Sequence, residues 1–106
     1  MLGVATTKKY TGSRTMDGLE VLVDGQPLDP RYELKKFSSG GFEWTYEGAG
    51  PRQLALALLA EHLGDGEAAL RLSAPFMRAV VANFENDWEL TGQDIDSALV
   101  LLNADG

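Results

Sequence analysis

The sequence contains no cysteine. Disulfides, thiolate nucleophiles and cysteine-ligated zinc or iron–sulfur sites are therefore excluded. A chain without disulfides fits a reducing compartment, and a cytoplasmic location is expected. Long apolar runs are also missing. No stretch reaches the ~18 uncharged apolar residues of a membrane span, and Met1 to Ala5 lack the apolar run of a signal peptide. No membrane partner is expected. Basic residues are missing from the last quarter: residues 79–106 hold no Lys or Arg but six Asp and Glu. With a net charge of −7, the chain lacks the cations that drive phosphate binding, so direct nucleic-acid binding is not expected. An acidic surface suits solubility or a basic protein partner.

What is present suffices for one core. The chain has 106 residues, 44% of them apolar, which fits a single domain of ordinary composition. That domain is expected over residues 9–103, with residues 1–8 a flexible N-terminus. Residues 9–15, KYTGSRT, read as a short first strand, and Leu19 to Val23 are rich in strand formers. The Asp24-Gly25 pair that follows favours the two positive φ angles of a type I′ hairpin turn. Pro27 cannot donate to a ladder, so the returning strand, Gln26 to Leu28, should be short and at an edge. Phe42-Glu43-Trp44-Thr45-Tyr46 alternates ring and polar residue, which predicts a half-buried strand with three rings on one face.

Pro51 suits the start of a helix. The helix expected over 51–63 is apolar on all sides from Leu54 to Ala60, so it belongs inside the fold. Gly64 is its expected C-cap. Asp65 or Gly66 opens a second helix, with Ala69 and Leu72 facing inward and Pro75 predicting a kink or fresh start. Phe76, Met77, Val80, Val81 and Phe84 then recur at helical spacing. Trp88 to Leu90 reads as a short extended piece. Thr91 caps a last helix, with Asp94 favouring its dipole and Ile95, Ala98, Leu99 and Leu102 as its apolar stripe. Strands followed by helices give an α+β fold: a small antiparallel sheet of three or four strands against a buried central helix and two or three further helices.

The run from Gly41 to Leu59, GFEWTYEGAGPRQLALALL, resembles the signature of a family of small bacterial, plasmid and phage proteins. There a G-F-E-W-G-Y strand adjoins a G-x-G-P-x-Q-L-A-L-A-L-L helix start. Tyr10-x-Gly12, the turn Leu63-Gly64-Asp65 and Trp88-x-Leu90-Thr91 are similar as well. The sequence departs at Thr45, where that pattern has glycine. The family is a domain of unknown function, so the resemblance implies a fold and brings no activity. Its phage and plasmid setting implies an accessory or anti-defence role.

Few residues stand out for chemistry. Gly48, Gly50 and Arg52 sit where a strand would turn into a helix N-terminus. Such a turn can bind an anion through free N–H groups, the dipole and the guanidinium, although Pro51 removes one donor and no Walker spacing follows. A plain packed turn explains the same residues. Phe42, Trp44 and Tyr46 suit a stacking platform for bases, but the scarcity of cations makes them core residues on this reading. His62 has no nucleophile placed beside it. Glu85, Asp87, Glu89, Asp94 and Asp96 form either a solvated face, a docking surface for a basic partner or mimic of a nucleic-acid backbone, or a divalent-metal site. Asp94 and Asp96 are two apart on a helix and diverge, so metal is the weakest of these. Trp88 either closes the core, which the pattern favours, or anchors an interface. No catalytic constellation, cofactor or metal is called for. The expected function is a non-enzymatic accessory protein acting through contact with a protein partner. One sharper form is an acidic inhibitor of a nucleic-acid-binding defence system. A ligand- or anion-binding domain using the 48–52 turn is the alternative, and homo-oligomerisation stays open.

Overall fold

The first pairing in the chain is local. Asp24 and Gly25 take φ of 50° and 84°, the two positive angles of the expected hairpin turn. They join β2 (Gly18–Val23) to the two-residue β3 (Gln26–Pro27). A second hairpin joins β2 to β1 (Lys9–Thr15), with Tyr10 opposite Val23 and Thr15 opposite Gly18. These coordinates are a computed structural model that describes residues 8–104. The flexible segment expected over 1–8 lies, apart from Lys8, outside the described residues.

The expected extended piece at Trp88 is a full strand. β4 (Trp88–Thr91) pairs antiparallel with β1, placing Trp88 opposite Gly12 and Leu90 opposite Tyr10. The sheet order is β3-β2-β1-β4. Its inner face carries Tyr10, Val21, Trp88 and Leu90, all buried. Gly12 is glycine because of its neighbour: a Cβ there would lie 2.2 Å from the Trp88 indole nitrogen. Trp88 thus closes the core, stacked on Phe84 at 4.3 Å and edge-on to Trp44 at 5.8 Å.

The helix α1 (Ala49–Leu63) begins two residues before Pro51, which falls in the first turn rather than at its first position. Prolines are tolerated anywhere N–H groups lack helical partners. Pro51 and every residue from Gln53 to Ala60 are buried, as an all-apolar surface demands. Burial of each of Leu54, Leu56, Leu58 and Leu59 contributes about 1.5–3 kcal/mol. Gly64 ends the helix in the left-handed conformation, φ 66°, its N–H donating to Ala60 O at 3.0 Å.

Asp65 caps α2 (Gly66–Ala79), accepting from Ala68 N at 3.2 Å. α2 runs on through Pro75, so the fresh start expected there does not occur. The carbonyl that loses its helical donor is that of Arg71, an exposed residue, where water can serve it. The break comes at Val80 instead, followed by a 3₁₀ turn over Val81–Asn83, so the helical spacing through Phe84 spans two elements. α3 (Gly92–Ala104) opens with a reciprocal box. Thr91 N donates to Asp94 Oδ2 at 3.0 Å, and Asp94 N to Thr91 Oγ1 at 3.1 Å. α1 packs along α2 and also meets α3 and the 3₁₀ turn.

The predicted strand over Phe42–Tyr46 does not exist. Thr45 adopts φ 82°, which no strand accommodates, and its N–H bonds Val81 O at 3.3 Å rather than a ladder. Nor do three rings share one buried face. Trp44 is fully buried, Phe42 half-buried, and Tyr46 50% exposed. The architecture is a four-stranded antiparallel sheet with a buried central helix and two further helices, an α+β fold. Among the described residues no helix is long and apolar enough to cross a membrane.

Candidate functional site

Between β3 and α1 the chain runs without regular structure for about twenty residues, and one side chain fixes its course. Gln53, buried in the first turns of α1, reaches into this loop with both ends of its amide. Its Oε1 accepts from Phe37 N at 2.6 Å and Ser38 N at 3.1 Å. Its Nε2 donates to Pro30 O at 2.7 Å and Lys35 O at 3.0 Å. Four orphan backbone groups are thereby satisfied without water. The sequence reading missed this residue. The available signal was a lone amide at the head of a helix with no polar face.

The loop is fastened at its start as well. Arg31, at φ 60°, bonds Glu61 Oε1 at 3.2 Å, and Lys8 bonds the other carboxylate oxygen. The Lys8 hydrogen bond, joined by that of Arg31, holds the Glu61 carboxyl below its usual range against the opposing effect of burial. Tyr10 lies nearby in the core. Burial, reinforced by the negative charges of Glu61 and Asp24, pushes its phenol up to about 12. The Tyr10 hydroxyl finds no partner among the described residues.

At its far end the loop is held by Arg14 of β1. The guanidinium pairs with Glu43 Oε1 at 3.1 Å, donates to Trp44 O at 3.2 Å and to Asn86 Oδ1 at 3.2 Å, and lies 4.9 Å above the Trp44 ring. Trp44 Nε1 donates to Asn86 O at 3.1 Å. With both ends tied, the loop arches beside the start of β2 and leaves a groove of about 440 Å³. Leu19, Pro30, Tyr32, Phe42 and Glu43 line it, with the Gly40-Gly41 bend. Leu19 and Tyr32 are 36% and 38% exposed, and Met16 in the adjoining turn is fully exposed. Large apolar side chains around a concavity are an interaction signature.

Of the residues singled out in the sequence, Phe42 lines this groove and the candidate anion and acidic residues lie elsewhere. Gly48, Gly50 and Arg52 stay together at the head of α1. Gly50 must be glycine because a Cβ would sit 2.7 Å from Glu43 Cβ. The Arg52 backbone N–H is committed to Gly48 O at 3.0 Å. Its guanidinium donates to Ser73 Oγ at 3.1 Å and lies 4.1 Å above the Phe37 ring. That side chain packs α1 against α2 and the loop, and is not extended toward the turn's N–H groups.

Four of the five singled-out acids work within the chain. Asp87 accepts from Arg14 N at 3.4 Å, and Glu89 pairs with Lys9 at 2.8 Å. Asp94 caps α3, and Asp96 contacts His62 Nε2 at 2.6 Å. Glu85 is exposed. Among the described residues no group of three or more His, Asp or Glu could hold a metal ion.

No curated protein and no solved structure matches the chain. A family model does, over residues 10–101, from the first strand through most of the last helix. The matched span includes Tyr10, Gly12, Gln53 and the capping box of α3, the residues on which this fold rests. The chain belongs to the family of unknown function DUF6166.

Proposed function

We propose that this protein is a non-enzymatic binding module that works through contact with another protein, using the groove between β2 and the loop of residues 29–43. The observation that carries this reading is the exposure of Leu19 and Tyr32 on a groove whose wall Gln53 holds rigid. A pre-formed wall lowers the ordering cost of association, and an exposed aromatic beside an aliphatic residue is typical of interface anchors. The inhibitor form of the idea draws less support. It calls for acids free to engage a basic surface, and four of the five acids singled out in the sequence already serve Arg14, Lys9, Thr91 and His62.

The test is photo-crosslinking in the host cell. A photoreactive residue replaces Tyr32 in one version and Glu67, exposed on α2, in another. A discrete protein adduct is expected at position 32 alone, and Leu19→Asp should abolish it. Equal adducts at both positions, or indifference to Leu19→Asp, would refute the reading.

A further inference from the structure

We infer that the groove accepts an extended, basic segment of the partner protein as an added strand on β2. This rests on the docking reading above and names the form of the partner.

The argument begins with hydrogen-bond alternation. In an antiparallel pair, bonded and non-bonded residue pairs alternate. Asp24 N donates to Lys9 O at 2.8 Å, so the Lys9–Asp24 pair is a bonded one. Counting along the register, Thr11–Leu22, Ser13–Glu20 and Thr15–Gly18 are bonded, while Tyr10–Val23, Gly12–Val21 and Arg14–Leu19 are not. The backbone groups of Val21 and Leu19 therefore point away from β1, toward β3. Two contacts agree: Leu28 N reaches Val21 O at 3.1 Å, and Arg14 N turns the other way to Asp87.

The β2–β3 register would place residue 30 opposite Leu19. That residue is proline and cannot donate, and its carbonyl is drawn off to Gln53. The chain after β3 thus leaves β2 at Val21, two residues before Leu19, whose N–H and C=O have no backbone partner among the described residues. The Leu19 side chain shares the inner face with Val21, and here it opens into the groove beside Tyr32 and Phe42. A segment laid along residues 18–20 completes the Leu19 pair and seats an alternate side chain against those rings. This is recognition by strand addition.

Charge names the occupant. Residues 16–47 hold seven Asp and Glu against three Lys and Arg. Arg31 is spent on Glu61 and Glu43 on Arg14. Lys36 lies 5.2 Å above the Tyr32 ring. Among the described residues Asp17, Glu20, Asp29 and Glu33 make no ion pair. A second copy of this chain, paired antiparallel on Leu19, would set Glu20 opposite Gly18 and diagonal to the second Glu20, so two acid-bearing strands would meet, which like charges oppose. A Lys- or Arg-bearing strand meets no such penalty.

The experiment selects random displayed dodecapeptides on the immobilised full chain. Enriched peptides should alternate apolar residues with Lys or Arg, and should lose binding to Leu19→Asp. The selected peptide should slow Leu19 amide exchange by about tenfold or more, and N-methylating its residue opposite Leu19 should abolish that protection. Peptides that need Tyr32 and Phe42 but leave Leu19 exchange unchanged would overturn strand addition and leave the docking reading standing. Acidic peptides that still protect Leu19 would overturn the basic occupant. Enrichment of nothing that depends on Leu19 or Tyr32 would overturn both readings.

Discussion

Tyr10 carries a buried hydroxyl that has no partner among the described residues, so its polar atom adds no hydrogen bond to the fold there. Removing a buried, unbonded polar group relieves its desolvation cost. Tyr10→Phe is therefore expected to be neutral or stabilising by up to about 1 kcal/mol in urea unfolding at pH 7. Its pH profile should differ as well. The folded phenol titrates at about 12 against an ordinary 10.0, so the fold prefers the neutral form. That contribution is complete below pH 10 and is lost as pH rises through 12. The stability gap between wild type and Tyr10→Phe should move in the variant's favour across that window, and a gap independent of pH would contradict it. Thr45 is the second residue at odds with its place. A β-branched side chain at φ 82° carries strain of roughly 1–2 kcal/mol. Thr45→Gly relieves it, less about 0.5–1 kcal/mol for the added freedom of the unfolded chain. A melting temperature raised by a few degrees is the expected outcome, and a lowered one would mean that the Thr45 side chain has a compensating role.

Elements whose signals are local were legible in the sequence. The Asp24-Gly25 turn, the Gly64 cap and the Thr91/Asp94 box each need only neighbours to form, and each stands where its residues put it. The segment Phe42–Tyr46 shows why others were not. Alternation states which residues would face one way if a ladder existed, but it supplies no ladder. Trp44 is instead held by Arg14 and Asn86, from segments far apart in the chain. The loop of residues 29–43 depends in the same way on Gln53. Gln53→Leu keeps the helix and its volume but strips partners from Phe37, Ser38, Pro30 and Lys35. Each buried backbone group left unbonded costs about 1–3 kcal/mol, and the loop can limit the loss by opening to water. The expected result is destabilisation of about 2–4 kcal/mol, with Phe37 and Ser38 amides exchanging far faster while α1 stays helical. Unchanged exchange at those two amides would show that the loop is held by something else.

Across the whole molecule the α+β class was legible although β4 follows α2 rather than preceding the helices. A β-rich first part with one helix lacking a polar face, which can only be a centre, suffices for it. The groove was not legible for the complementary reason. Leu19 comes from β2 and Tyr32 and Phe42 from opposite ends of one long loop, and they meet only because Gln53, Arg14 and the Glu61 pairings steer that loop. Centre and groove should consequently differ in how they open. The buried face of α1 meets α2, α3 and the sheet's inner residues in a single apolar cluster, so its amides have no local route to solvent. Leu56→Ala, at a fully buried position, is expected to cost about 2–5 kcal/mol. Hydrogen exchange at the middle of α1 should lose protection by the same free energy as urea unfolding reports, because both measure the global transition. Amides of residues 37–43, exposed by opening of the loop alone, should keep their rates in that variant. Loss of protection in α1 clearly smaller than the loss of global stability would mean that the helix can open by itself, and that the central packing is not one cooperative unit.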